Sequence, residues 1–327
     1  MSSIFSRISA GAALLLTLGG CAASGDDVTD EAGSEVNAAA RGSARLLALG
    51  DSITYGWEPE WSEKQPGQPK NAANLQKAVL GKGFPEMVAK RLGLAAANAS
   101  CPGEASGSFR DPQAKDNGCR SKRADGLKMS TPWGSKRTQL EAAIAEVKSP
   151  NPPKVITLML GGNDLFLLQD RCEDSFVGET ACIAAAAKLG LNGAPVARLE
   201  ENIEASLKAL HGAGYRGTVV LVTIYAMDYA GLGEPLVFGA FNRALRGAAR
   251  DVQASTPGMK IVIADAFSKF EDRSEPHDRS ACKAGLLIST RNGAPILDDK
   301  GKPTCDRHPS QAGHEAIADA VLEALKD

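Results

Sequence analysis

Leu46-Leu47-Ala48-Leu49-Gly50-Asp51-Ser52-Ile53-Thr54-Tyr55-Gly56 opens as an apolar run and turns polar at a glycine. Four consecutive apolar residues read as a short strand covered on both faces, because a parallel strand buried on two sides loses the alternating pattern. A glycine at its end lets the backbone turn without a Cβ clash and leaves the next polar side chains at the carboxyl edge. In open α/β sheets that edge is where ligands bind. Ser52 is thus placed as a nucleophile would be, if a base elsewhere takes its proton. The plainer alternative is that Asp51 and Ser52 only cap a turn, as Asp and Ser commonly do.

Further apolar runs share the pattern. Leu94–Ala99 reads as a short strand leading to the loop Ser100–Ser106. Val155–Leu160 is the clearest strand and runs into Gly161-Gly162-Asn163-Asp164, after which a cysteine-bounded, Ala-rich segment follows. Thr218–Ile224 and Lys260–Ala264 complete the set. Helical spacing appears over Phe84–Leu92, stopped by Gly93, and over Lys136–Lys148, stopped by Pro150. It returns over Val196–Leu210, Leu236–Gln253 and Gln311–Leu325. Trp57–Lys82 is a long polar excursion, read as an active-site rim or flap, and Asp265–Thr304 reads as irregular. Strands alternating with helices predict a three-layer α/β/α sandwich around a parallel sheet. No internal repeat is visible.

Composition is that of an ordinary globular chain: 43% hydrophobic, 23% charged and a formal net charge of −2. A nucleic-acid partner is not expected, since that surface calls for a strongly basic balance. The amino terminus reads as an export signal (residues 1–20), with Arg7 before an apolar run from Gly11 to Leu18 that is too short to span a bilayer. Leu18-Gly19-Gly20-Cys21 resembles the lipobox of bacterial lipoproteins, which makes Cys21 the expected lipidation site. The alternative is an ordinary cleaved signal with a chance cysteine. Residues 21–43 are rich in Ala, Gly, Ser and acids, cannot bury much surface, and read as a disordered tether. The expected location is the extracytoplasmic side of a membrane, reached through the lipid anchor, for a protein acting as a monomer.

Six cysteines remain, and none shows CxxC spacing. They allow 15 pairings. The simplest joins neighbours: Cys101–Cys119, Cys172–Cys182 and Cys282–Cys305. Reduced, buried thiols are the alternative, an uncommon one outside the cytosol. No His/Asp/Glu cluster has metal-ligand spacing, so neither metal nor cofactor is expected.

Four short blocks then stand out in order: Gly50-Asp51-Ser52, Asn98-Ala99-Ser100-Cys101-Pro102-Gly103-Glu104, Gly161-Gly162-Asn163-Asp164 and His308-Pro309. Together they resemble the SGNH (GDSL-type) serine esterases and lipases, over roughly residues 45 to 325. The resemblance implies a flavodoxin-like hydrolase domain, here 44–327, in which Ser52 attacks an ester carbonyl and His308 is the base. A serine hydroxyl is a weak nucleophile until an adjacent base removes its proton, and an imidazole titrates near operating pH. The same resemblance implies an oxyanion hole formed by the backbone N–H groups of Ser52 and Gly103 and the side-chain amide of Asn163. One position departs from the family pattern. The aspartate is usual three residues before the histidine, where this chain has Cys305; Asp306 lies two before His308. Either Asp306 or a backbone carbonyl orients the imidazole. Asp51 and Asp164 read as structural, bonding loop N–H groups. Trp57, Trp61 and Trp133 are candidates for a substrate rim or for packing. The expected activity is hydrolysis of carboxylic esters through an acyl-enzyme. A carbohydrate O-acetyl esterase of the same fold is the nearest alternative, and a non-catalytic glycan- or lipid-binding lipoprotein the more distant one.

Overall fold

The computed structural model describes residues 44–57, 82–125, 127, 131, 133, 137–172, 195–231, 233–291, 293–298 and 300–326. The export signal, the tether, nearly all of the Trp57–Lys82 excursion and the Cys172–Cys182 pairing lie outside them.

Five strands form one parallel sheet: β1 (Arg45–Gly50), β2 (Ala95–Asn98), β3 (Val155–Met159), β4 (Thr218–Val222) and β5 (Lys260–Ala264), in the order β2-β1-β3-β4-β5. Every residue of β1 after Arg45 is buried, as expected of a strand with both faces covered. The order reverses at β1, with β2 on one side and β3 on the other. That is the switch point where such sheets open a crevice at their carboxyl ends.

The helices are α1 (Ser52–Tyr55), α2 (Phe84–Leu92), α3 (Cys119–Ala124), α4 (Gln139–Val147), α5 (Gly162–Cys172), α6 (Pro195–Gly212), α7 (Gly233–Gln253), α8 (Ala266–Ser274) and α9 (Gln311–Ala324). On one face of the sheet Leu47, Leu49, Ile156, Leu158, Val219 and Leu221 pack with α4, α6 and α7. On the other, Leu46, Ala48, Val220, Val222 and Ala264 pack with α2, α8 and α9. This is the three-layer α/β/α arrangement. Among the described residues no helix is long and apolar enough to cross a membrane.

Three stretches differ from the sequence reading. The helix expected over Lys136–Lys148 begins at Gln139, because Thr138 caps it: the Thr138 hydroxyl accepts the Glu141 N–H at 3.2 Å and the Glu141 carboxylate accepts the Thr138 N–H at 2.8 Å. After β3 the chain coils at once into α5, burying Leu165 and Leu168. Gly162 and Asn163 carry turn chemistry, yet they open that helix. Asp265–Thr304 is not wholly irregular. It holds α8, anchored by buried Phe270, and a hairpin of Thr290–Arg291 with Ala294–Pro295. The charges of Lys269, Glu271, Asp272 and Arg273 mask the apolar spacing of α8.

Candidate active site

β1 ends on a residue that tolerates no side chain. Gly50 has φ +145°, and a Cβ there would fall 2.4 Å from the Met159 carbonyl oxygen and 2.5 Å from the Thr54 hydroxyl. Asp51 follows as the cap of α1, its Oδ1 accepting the Ile53 N–H at 2.9 Å. Ser52 is consequently the first residue of α1, standing at the carboxyl edge of the sheet.

His308 reaches Ser52 from the far end of the chain. Its loop is pinned by backbone bonds from Ile288 N–H to the His308 carbonyl (3.1 Å) and from Asp306 N–H to the Ile288 carbonyl (2.8 Å). The Tyr225 hydroxyl donates to the Arg307 carbonyl at 2.7 Å, and the Cys282–Cys305 disulfide closes just upstream. α9 starts three residues beyond His308, capped by Ser310. The result puts His308 Nε2 2.9 Å from Ser52 Oγ, with His308 Nδ1 2.5 Å from Asp306 Oδ1. Burial alone would raise the Asp306 carboxyl, but the hydrogen bonds and charge of His308 hold it below the ordinary value.

The loop after β2, which carries Gly103, is bonded to the turn that carries Ser52. Cys101 N–H donates to the Gly50 carbonyl at 3.0 Å, and the Cys101–Cys119 disulfide ties the loop to α3. Gly103 has φ +95°, and a Cβ would lie 2.2 Å from the Asn117 carbonyl oxygen. Asn163, near the start of α5, donates Nδ2 to the Glu104 carbonyl at 3.0 Å and to Asp51 Oδ2 at 3.3 Å. Its Oδ1 accepts from Asn117 Nδ2 at 3.0 Å, so the amide is oriented from three sides. Among the described residues no protein acceptor takes the backbone N–H of Ser52 or Gly103. Asp164 accepts the Ser106 N–H at 2.9 Å and its hydroxyl at 2.5 Å, fastening α5 to the glycine loop.

Behind these groups lies a polar clamp that sequence reasoning missed. Gln139, buried at the start of α4, accepts the Gly50 N–H at 2.6 Å through Oε1. Its Nε2 donates to the Gly50 carbonyl at 3.0 Å and to Glu104 Oε2 at 3.2 Å. Gln139 therefore joins the turn carrying Ser52 to the loop carrying Gly103. Burial pushes the Glu104 carboxyl up to about 7, against the lowering effect of the Ser108 hydrogen bond. Burial likewise raises Asp51 to about 6. Nothing in the sequence marks Gln139, which falls inside a helix pattern. Asn117, which orients the Asn163 amide, was not singled out from the sequence either.

From Ser52, Asn163 and His308 a cavity of about 450 Å³ extends along Leu165, Phe166, Ile224, Val237 and Phe238. Most of this wall comes from α5 and the start of α7. Trp133 does not border it; that ring is buried, donates Nε1–H to the Ala99 carbonyl at 3.0 Å and carries the Arg123 guanidinium over its face. Trp61 lies outside the described residues. Cys101, Glu104 and Cys119 approach closely enough to suggest metal ligands, but the two sulfurs are bonded to each other.

The sequence profile of the GDSL-like lipase/acylhydrolase family matches residues 48–316. No curated protein matches the chain. Solved structures similar to it include phospholipase A1 from Streptomyces albidoflavus NA297, at 15% identity and TM-score 0.49, covering 86% of this chain and 98% of that one. The extracellular lipase of Streptomyces rimosus is 17% identical with TM-score 0.46, covering 86% and 99%. A catalytic mutant of an acetylxylan esterase from Geobacillus stearothermophilus is 16% identical with TM-score 0.46, covering 86% and 94%.

Proposed function

The chain belongs to the GDSL-like lipase/acylhydrolase family, and from that premise we propose that it is an exported serine esterase working through Ser52, His308 and Asp306. The reading is supported most directly by the 2.9 Å approach of His308 Nε2 to Ser52 Oγ at the floor of an apolar-lined cavity. In the proposed reaction His308 Nε2 takes the hydroxyl proton as Ser52 Oγ attacks the ester carbonyl. Asp306 Oδ1 accepts the Nδ1–H, which fixes the tautomer and offsets the charge of the imidazolium. The carbonyl oxygen becomes an oxyanion held by the N–H groups of Ser52 and Gly103 and by Asn163 Nδ2. The 3.3 Å bond from Asn163 to Asp51 is long enough for an oxyanion to compete for that proton. Collapse expels the alcohol, protonated by His308. Water then repeats the attack on the acyl-serine and restores the enzyme.

Leu165, Phe166, Ile224, Val237 and Phe238 favour an acyl chain longer than acetyl, since each buried methylene contributes about 0.8 kcal/mol. The test is a series of p-nitrophenyl esters from acetate to palmitate, with acetylated xylan, run on the protein and on Ser52→Ala. Hydrolysis by the protein and its loss by orders of magnitude in a folded Ser52→Ala are expected. A variant retaining activity would end the reading.

Export and lipid anchoring at Cys21 are part of the same proposal. They are supported by the apolar run before Leu18-Gly19-Gly20-Cys21 and by two closed disulfides, which persist in oxidising compartments. Cys21→Ser is expected to move the protein from the membrane fraction to the soluble one with its activity intact.

A further inference from the structure

One charge at the cavity has its hydrogen-bonding groups unused. Arg307, next in the chain to His308, is exposed and lines the cavity, with its guanidinium carbon 4.1 Å from the centre of the Phe166 ring. Among the described residues its guanidinium makes no hydrogen bond or ion pair; only its backbone carbonyl is engaged, by Tyr225. The other charged groups of the lining are committed. Glu234 Oε2 accepts the N–H groups of Met227 and Asp228 at 2.7 and 3.1 Å, and Asp51 holds Ile53 and Asn163.

A guanidinium resting over an aromatic face keeps its N–H donors in its own plane, free at the edge. That planar fork matches a phosphate or carboxylate through two parallel bonds. Arg307 covers Phe166, so an acyl tail belongs against Leu165, Ile224, Val237 and Phe238 rather than beside the cation, and a negative group facing Arg307 belongs to the alcohol half of the ester. We propose that Arg307 forms an anion subsite, and that the preferred substrate is an ester whose alcohol part carries a phosphate or carboxylate. The proposal rests on the esterase reading above.

The probes are 1-hexanoyl-glycerol, 1-hexanoyl-glycerol 3-phosphate and O-hexanoyl-lactate, each as monomers below any micelle concentration so that surface effects are absent. The protein is expected to favour at least one anionic ester over the neutral one by about tenfold in kcat/KM, mainly through KM, as a charge-assisted bidentate contact would give. Which anionic ester is preferred identifies the anion. The preference is expected to shrink with added salt. Arg307→Met should bring the ratio near one, and Arg307→Lys should keep part of it. An equal fall on charged and neutral esters in Arg307→Met would make Arg307 a packing partner of Phe166 and overturn the subsite. Ser52-dependent hydrolysis with no charge preference would overturn the subsite alone. No Ser52-dependent hydrolysis of any of the three would sink the esterase reading and the subsite together.

Discussion

Asp306 Oδ1 receives both the ring Nδ1 of His308, at 2.5 Å, and the backbone N–H of the same residue, at 2.9 Å. A carboxylate two residues before a histidine thus meets its ring through a tight local turn, in which one oxygen serves side chain and main chain together. Spacing of three is not needed for that contact. Asp306→Asn keeps the shape and removes the charge, so kcat is expected to fall by about 10²–10⁴ with KM little changed. Steady-state kinetics on a p-nitrophenyl ester reads this; a loss under about threefold would return the orienting role to a backbone carbonyl.

Gln139 holds both polar groups of Gly50 and reaches Glu104. Gln139→Leu leaves the buried Gly50 N–H without a partner, a cost of about 1–3 kcal/mol. The expected outcome is a lower urea midpoint together with a fall in kcat, because the donors of Ser52 and Gly103 are no longer held in register. Gln139→Glu, which still accepts from Gly50, should recover part of the loss. An unchanged kcat in a destabilised Gln139→Leu would confine the clamp to folding.

Glu104 gives a dependence on pH with a definite sign. Its carboxyl is raised by burial to about 7, so the folded chain holds that proton more tightly than the unfolded one. The stabilisation is complete below the ordinary value of 4.5 and is lost as pH rises through about 7. The loss is on the order of 3 kcal/mol. Glu104→Gln does not titrate, so its stability relative to the parent should improve between pH 5 and pH 8. Asp51, also raised, shifts both proteins alike and cancels in the comparison. Urea melts at the two pH values measure the difference, and parallel behaviour would count against a buried, titrating Glu104.

The Cys282–Cys305 bridge spans 23 positions and closes immediately before Asp306. A cross-link over a loop of that size typically contributes about 2–4 kcal/mol. Replacing both cysteines by serine should lower stability by that order and reduce kcat under conditions where circular dichroism still reports a folded chain. Full activity in the folded variant would show that the pinning of the Ile288 and Asp306 backbones suffices alone.

Much of the sheet was legible because its strands are continuous apolar runs ending at glycine or a polar turn. Val155–Met159 and Lys260–Ala264 are examples. α5 and α8 were not, for opposite reasons: one begins on residues that favour turns, the other wears charges over its buried face. The approach of Ser52 to His308 across the length of the chain was readable only through the resemblance of four short blocks, since no local pattern encodes it. Gln139 and Arg307 escaped altogether. Their significance lies in what stands beside them, which periodicity and spacing do not report.

α5 supplies both Asn163 and the wall residues Leu165 and Phe166, but the opposite part of the wall comes from an element that holds none of the reactive groups. Val237 and Phe238 belong to the opening turns of α7, whereas Ser52 opens α1 and Gly103 and His308 sit on loops fastened by their own bonds and bridges. The α7 part of the wall is therefore separable from the chemistry in this scaffold. Descendants of it, natural or engineered, could redraft two turns of one helix to accept a new acyl group while inheriting the machinery that cuts it.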